Sequence, residues 1–116
     1  MRKKPAASTP TDLQLDLLLA MFDGPCSSGD LVETVSELRQ RDVPLATFYR
    51  QLQRTVDLGW TEIVESGTVD GAQGPGRPER HYRITGVGER FLRDGMEEHR
   101  RRIARALANG LLERMA

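Results

Sequence analysis

The sequence predicts a mainly α protein with one small β-hairpin, and three patterns support that fold class. Residues 11–58 contain three stretches with apolar residues at helical spacing, residues 60–85 alternate with a period of two around a glycine-rich loop, and a long amphipathic stretch follows. With 116 residues, of which 38% are hydrophobic and 5% aromatic, one copy can bury only a thin core. Burial of further surface against a second copy is therefore open from the outset.

The first two helices are predicted on either side of an Asp-Gly-Pro sequence at residues 23–25. Helix 1 covers residues 12–22, where leucines and a phenylalanine recur at helical spacing behind the capping residue type Thr11. Helix 2 starts at a cap formed by Ser27 or Ser28 and fades near residue 39. Its first turn carries acidic residues, which the helix dipole favours there.

The third helix is predicted over residues 44–58. Pro44 suits its first turn because the missing N–H has no partner to lose at that position. Gly59 can adopt the left-handed conformation that ends many helices. The predicted buried stripe of this helix consists of Leu45, Phe48, Leu52 and Val56.

Two strands are predicted next, over residues 60–66 and 80–85. In the second strand Tyr82 and Ile84 share one face, while His81 and Arg83 share the other. The loop between the strands is rich in glycine and proline, and the wing that it forms is predicted over residues 67–80.

One uninterrupted helix is predicted from the cap Thr85 to the end of the chain. Apolar and small residues step along it by 4, 3, 4, 3 and 4 positions from Leu92 to Gly110, which is the heptad spacing of helices that pack at a shallow angle on a partner. The helix has no later element to cover it, so dimerisation is predicted. The predicted dimer interface comprises Leu15, Leu18, Phe22, Leu92, Met96, His99, Ile103, Ala106 and Leu107.

Three helices, a hairpin with a basic loop and a final helix, in that order, form the layout of a winged helix-turn-helix. In such a fold the third helix enters the major groove of DNA, and the wing lies beside the flanking backbone or the minor groove. Glycines let a wing follow the duplex closely. The chain is thus divided into a flexible basic tail (1–10), a winged helix-turn-helix DNA-binding domain (11–85) and a dimerisation helix (86–116).

Two segments resemble the PadR family of bacterial transcriptional regulators. PLATFYRQLQRTVDLGW (44–60) is similar to the recognition helix of that family, and GRPERHYRITGVGERFL (76–92) is similar to its wing strand and the start of its last helix. The single C-terminal helix resembles the short branch of the family. The resemblance implies a homodimeric regulator in bacteria, with repression as its usual mode. Some short members hold flat aromatic drugs between tryptophans of the C-terminal helix, and this helix contains no tryptophan.

The candidate DNA contacts lie on the polar side of the third helix and on the wing. The alternative for the helix is an ordinary solvated polar face, and Tyr49 could instead pack partly into the core. Arg83 could pair with an acid across the hairpin. Trp60 could pack under the wing or line an effector pocket near the dimer interface. The predicted DNA-binding residues are Thr47, Tyr49, Arg50, Gln53, Arg54, Arg77 and Arg80.

The formal net charge is zero, but the charges are unevenly distributed. Residues 11–37 carry six acids and no basic residue, whereas Arg100, Arg101, Arg102 and Arg105 lie within six positions of one another. Binding of phosphates responds to the local potential because salt screens charges beyond about 8–10 Å. The arginine run could form a second DNA surface, but a solvated helix face paired with Glu97 and Glu98 is favoured.

Several other classes of protein lack support in the sequence. No catalytic triad, H-E-x-x-H motif or phosphate-binding glycine loop is present, so we expect no enzyme and no cofactor. A lone cysteine, Cys26, allows no intrachain disulfide or cysteine-based metal site, and we expect its thiol to be inert. No apolar run approaches the roughly 20 residues of a membrane helix, and no secretory signal begins the chain. A cytoplasmic protein is expected.

These observations predict a sequence-specific DNA-binding transcriptional regulator, a homodimeric repressor that places helix 44–58 in the major groove of an operator. One alternative is a regulator that responds to a small-molecule effector bound in the dimer cleft. Another is a winged-helix module that binds protein and does not bind DNA. Salt-dependent DNA binding would distinguish the regulators from the protein-binding module.

Overall fold

The computed structural model describes residues 10–64 and 80–115. Five helices and three strands lie within these ranges. In chain order they are α1 (Asp12–Ala20), β1 (Cys26–Ser27), α2 (Ser28–Arg39), α3 (Leu45–Asp57), β2 (Thr61–Val64), β3 (His81–Ile84), α4 (Gly86–Ala108) and α5 (Leu111–Met115).

The N-termini of three helices are capped by the hydroxyl groups that the sequence predicts. The Thr11 hydroxyl accepts from the backbone N–H of Gln14, and the Gln14 side chain accepts from the Thr11 backbone N–H in return. The Ser27 hydroxyl caps α2 by accepting from the backbone N–H of Asp30 at 3.1 Å. The Thr85 hydroxyl caps α4 by accepting from the backbone N–H of Gly88 at 3.0 Å. Because these bonds satisfy N–H groups that have no partner within the helix, they fix where each helix begins.

The strands form a three-stranded antiparallel sheet in the order β1-β3-β2. The hairpin of β2 and β3 was predicted; Val64 pairs with His81 at the end nearest the loop, and Thr61 pairs with Ile84 at the open end. The third strand, β1, was not predicted, because two residues are too short to show a period. It pairs Cys26 with Tyr82 and so ties the start of α2 to the hairpin.

The core lies between α1, α2, α3 and the inner face of the sheet. Tyr82 and Ile84 are buried and Arg83 is exposed, as their alternation predicts, while His81 is half-buried. The buried apolar residues are Leu15, Leu17, Leu18, Met21, Leu31, Val35, Phe48, Leu52, Trp60, Tyr82, Ile84 and Leu92.

The buried stripe of α3 differs from the prediction at one end. Phe48 and Leu52 are buried, but Leu45, in the first turn of α3, is 57% exposed. Thr55 completes the stripe and is fully buried. Its hydroxyl donates to the Leu52 carbonyl at 2.6 Å and lies 3.0 Å from the Thr61 hydroxyl, so burial leaves it hydrogen-bonded.

The C-terminal helix is not continuous, which corrects the prediction. It ends at Ala108, and Gly110 adopts a positive φ of 73° before α5 begins. A left-handed residue cannot continue an α-helix, and glycine takes this conformation at little cost. Among the residues described, no helix has the length and apolar character needed to cross a membrane.

Candidate nucleic-acid interface

The outer face of α3 gathers the polar residues that the sequence proposed as DNA contacts. Tyr49, Arg50, Gln53 and Arg54 are exposed, and Thr47 is half-buried. These residues lie opposite the buried stripe because positions 49, 50, 53 and 54 share one side of a helix with 3.6 residues per turn.

Both arginines of this face are available to a ligand. Within the described residues, neither Arg50 nor Arg54 forms an ion pair. The Gln53 amide donates to the Asp57 carboxylate at 3.0 Å, which directs it along the helix. The Tyr49 ring meets Phe48 edge-on, with centroids 5.0 Å apart, and remains largely exposed. The face therefore offers two unpaired guanidinium groups, a phenol and an amide.

Only the base of the wing belongs to the described residues. Arg80 is exposed, and its carbonyl accepts from the Ser28 backbone N–H, which holds it beside the start of α2. Arg77 lies outside the described residues. Arg83 forms an exposed ion pair with Glu62 across the hairpin, the alternative that the sequence raised for it.

The predicted dimer residues divide into two groups. Leu15, Leu18 and Leu92 belong to the core of the protomer, so their assignment to a dimer interface is corrected: neighbouring helices already cover them. Phe22, Ile103 and Leu107 are 54–61% exposed. Met96, His99 and Ala106 are half-buried.

Leu19 and Leu111 are also exposed apolar residues, and neither is among the predicted interface residues. Leu19 lies one turn after Leu15 on α1, and Leu111 follows one turn after Leu107 in the chain. This spacing of four positions is the feature of the sequence by which both leucines could have been added to the predicted apolar stripe. A cavity of about 360 Å³ opens beside these helices, between the C-terminal end of α1 and the first half of α4. Its lining consists of Leu19, Phe22, Glu89, Leu92, Arg93 and Met96.

Trp60 does not form the effector pocket suggested by the sequence. It is only 2% exposed, and its ring packs on Phe91 with centroids 4.7 Å apart. The protein's own side chains therefore occupy the space around the indole, and Trp60 acts as a core residue under α4.

The arginine run of α4 is largely a solvated, paired face. Glu97 accepts from Arg100 at 2.9 Å, and Glu98 lies 3.6 Å from Arg102. Pairing at a spacing of four positions would join Glu97 to Arg101, whereas the structure joins it to Arg100, three positions along the helix. The hydrogen bonds from Arg100 lower the pKa of Glu97. Such exposed pairs contribute little to stability. The described part of the chain holds no cluster of three or more His, Cys, Asp or Glu side chains that could bind a metal ion.

The fold is that of known winged-helix regulators. A candidate transcriptional regulator from Thermoplasma acidophilum matches with a TM-score of 0.65 and 22% identity, over 87% of this chain and 90% of its own. A PadR-like transcription factor from Bacteroides fragilis matches with a TM-score of 0.60 and 24% identity, over 88% and 87%.

A third match is Bacillus subtilis PadR, solved in complex with operator DNA. Its TM-score is 0.62 and its identity 22%, over 74% of this chain and 47% of that protein. No protein-family model and no curated protein matches the sequence. At these identities the matches show that this chain has the winged-helix fold shared by PadR-like regulators.

Proposed function

We propose that this chain is a homodimeric, sequence-specific DNA-binding transcriptional regulator of the PadR type. The observation that carries the proposal is the outer face of α3, where Arg50 and Arg54 project without ion-pair partners among the described residues. In the winged-helix fold this helix is the one that enters the major groove. The Bacillus subtilis protein of the same fold was solved on its operator.

The residues of this face divide into base-reading and phosphate-binding roles. Arg50 is assigned to a base edge, because a guanidinium can donate two hydrogen bonds to guanine in the major groove. Thr47 and Tyr49 contact the duplex near it, and Gln53 and Arg54 contact it further along the helix. Arg77 and Arg80 on the wing contact the flanking phosphates or insert into the minor groove.

The dimer is assigned to α4 together with the exposed part of α1. Phe22, Ile103 and Leu107 leave large apolar surfaces in water, and burying such a side chain contributes about 1.5–3 kcal/mol. The cavity beside Leu19 and Met96 offers a concave apolar surface on the same side. A two-fold dimer buries each patch twice, since every contact is repeated by symmetry.

A symmetric dimer presents two copies of α3 to the duplex. They meet successive major grooves about one helical turn apart, so the operator is a pseudo-palindrome. Repression follows when such a dimer covers a promoter. This is the mode that the resemblance to PadR proteins implies.

The first experiment is selection of genomic fragments on the purified protein, followed by gel shifts of the selected duplex across salt concentrations. A pseudo-palindromic site with affinity that falls steeply with salt is expected. Absence of any enriched sequence would contradict the proposal and favour the protein-binding module.

Arginine variants then test the face itself. Arg50→Ala is expected to weaken operator binding by about 1–3 kcal/mol and to relax the preference at one base pair. Arg77→Ala is expected to weaken all duplexes evenly and to reduce the salt slope by about one. Arg101→Ala is the matched control, because it removes an exposed arginine from α4. If Arg50→Ala and Arg101→Ala behave alike on every duplex, the proposed face is wrong.

A further inference from the structure

A buried glutamine connects α1 to the helix that carries the proposed DNA contacts. Gln14 is only 6% exposed, although it is a polar residue in the first turn of α1. Its Oε1 accepts from the Thr11 backbone N–H at 2.9 Å, and its Nε2 donates to Oε1 of Gln51 at 3.1 Å. One amide therefore serves both as part of the cap of α1 and as a link to α3.

This link is the only side-chain hydrogen bond between α1 and α3 among the described residues. The core around these helices is otherwise mainly apolar, with side chains such as Leu17, Leu18 and Phe48, and the buried hydroxyl of Thr55 ties the C-terminal part of α3 to β2 through Thr61. Apolar packing keeps the stripe of α3 buried, but it is non-directional and does not specify angles as a hydrogen bond does. A hydrogen bond weakens steeply when its angle changes. The Gln14–Gln51 bond is thus suited to fix the rotation of α3.

Gln51 occupies the border between the buried and the exposed side of α3. It is half-buried, it directly follows Arg50 in the chain, and Arg54 lies one turn beyond it. A helix with its side chains has a radius of about 5–6 Å, so a rotation of roughly 10° moves a surface group by about 1 Å. Binding constellations tolerate about 0.5 Å and 10–20°. A small loss of rotational control would therefore misdirect both guanidinium groups.

We propose that Gln14 is a positioning residue for DNA recognition, which acts by holding Gln51 and thereby sets the direction in which Arg50 and Arg54 project. The role rests on the proposed function, since it presupposes that α3 reads DNA. Gln14 itself lies inside the protein and does not touch the duplex. Gln14 affects the discrimination between DNA sequences more than the attraction to phosphate. Hydrogen bonds to base edges require a precise direction of the side chain, whereas attraction to phosphates depends mainly on charge.

The test compares three full-length proteins on two duplexes of equal length, the selected operator and a shuffled version of it. Gln14→Leu keeps approximate size and removes both hydrogen bonds. Gln14→Glu is the conservative variant: its carboxylate still accepts from Thr11, and it accepts from Gln51 once that amide turns over. The measurements are the two dissociation constants by fluorescence anisotropy at fixed salt, and the thermal melting curve of each protein.

Gln14→Leu is expected to lower the ratio of operator to shuffled affinity by roughly tenfold, the size of one good base contact, while shuffled binding stays within about twofold. Gln14→Glu is expected to restore most of the ratio. A purely structural role would lower both affinities together, in step with the melting temperature. That outcome, or an unchanged ratio in folded Gln14→Leu protein, overturns the positioning role.

Gln51→Leu is the second variant, for use if Gln14→Leu does not fold. It removes the link from the α3 side and leaves the cap of α1 intact, so the same loss of discrimination is expected, and an unchanged ratio overturns the role. Failure of the proposed function is seen separately. If the unmodified protein does not distinguish operator from shuffled DNA, α3 is not a reading helix and the positioning role falls with it.

Discussion

Substitution of Gly88 by alanine tests how the winged-helix part is joined to the C-terminal helix. Gly88 lies in the first turn of α4, where its Cα packs on the backbone that follows α3. A Cβ at this position would lie 2.9 Å from the carbonyl carbon of Trp60, nearer still to its oxygen, and 2.9 Å from Cγ1 of Ile84. Real Cβ atoms are essentially never this close to other groups, so the backbone must move.

The obstructing oxygen is itself held in place. The Trp60 carbonyl accepts from the backbone N–H of Thr85 at 2.9 Å and from its hydroxyl at 3.0 Å. Overpacking costs about 1–3 kcal/mol, and each weakened hydrogen bond about 1 kcal/mol more. Alanine offsets about 1 kcal/mol through its better helix propensity. The expected net loss in the free energy of unfolding is about 2–4 kcal/mol.

Thermal unfolding followed by circular dichroism measures this loss. Since 1 kcal/mol shifts Tm by about 4 °C or more in a domain of roughly 100 residues, Gly88→Ala is expected to lower Tm by at least about 8 °C. All variants are compared at one protein concentration, because the proposed dimerisation would make Tm depend on it. Gly86→Ala is the matched control: no atom lies within 4 Å of its Cβ, and Tm should stay level or rise slightly.

Gly95→Ala should fall between these two variants. Its Cβ would meet Cδ2 of Leu15 at 2.6 Å, and the end of a leucine side chain can turn aside where a backbone carbonyl cannot. A Gly88→Ala protein within about 0.5 kcal/mol of the unmodified protein would refute the close contact between α4 and Trp60. So would an equal loss in Gly86→Ala.

Two further predictions concern the dimer and the lone thiol. Ile103→Glu should convert the proposed dimer to a monomer in light scattering, because it places a charge on the exposed apolar stripe. Ala108→Glu, on the opposite side of α4, should leave the dimer intact. A dimer that survives Ile103→Glu would refute the assigned interface. Burial, followed by the charges of Asp30 and Asp23, raises the pKa of the Cys26 thiol. Alkylation of Cys26 by iodoacetamide at neutral pH should therefore be slower than alkylation of a free cysteine, because the thiolate is the reactive form. Asp30→Asn should accelerate the alkylation, because it removes one of these charges. The folded state holds the thiol proton more tightly than the unfolded state. The contribution of Cys26 to the free energy of unfolding is therefore present below the ordinary thiol pKa and is lost as the pH rises through the thiol pKa of the folded state. Alkylation as fast as in the unfolded chain would contradict the shielding of Cys26.

The local structure of this protein was predictable from its sequence. Thr11 and Thr85 were identified as caps from residue type and position, Ser27 as one of two candidates with Ser28, and the inner face of β3 from the alternation around Tyr82. Such features depend on residues within a few positions of one another. Helix spacing and the order of elements were then sufficient to predict the winged-helix fold class.

Burial of individual apolar residues was only partly predictable from the sequence pattern. Leu15 and Leu19 stand one turn apart on α1 with the same local pattern, yet Leu15 is buried against Gly95 of α4 and Leu19 is exposed. Leu45 and Phe48 differ in the same way on α3. The difference lies in where neighbouring helices cross, and that point is set by residues distant in the chain.

The sequence by itself therefore determined the main helices, the hairpin, their order and the arginines that α3 offers, because periodicity, capping and charge are local properties. The tertiary structure decided which apolar side chains remain for a partner, where the last helix breaks away at Gly110, and how α3 is held. Gln14 and Gln51 are 37 positions apart, and no local pattern joins them. Only the packing of α1 against α3 brings the two amides within hydrogen-bonding distance. A directional bond depends on how two helices are placed relative to each other, and sequence patterns predict each helix separately.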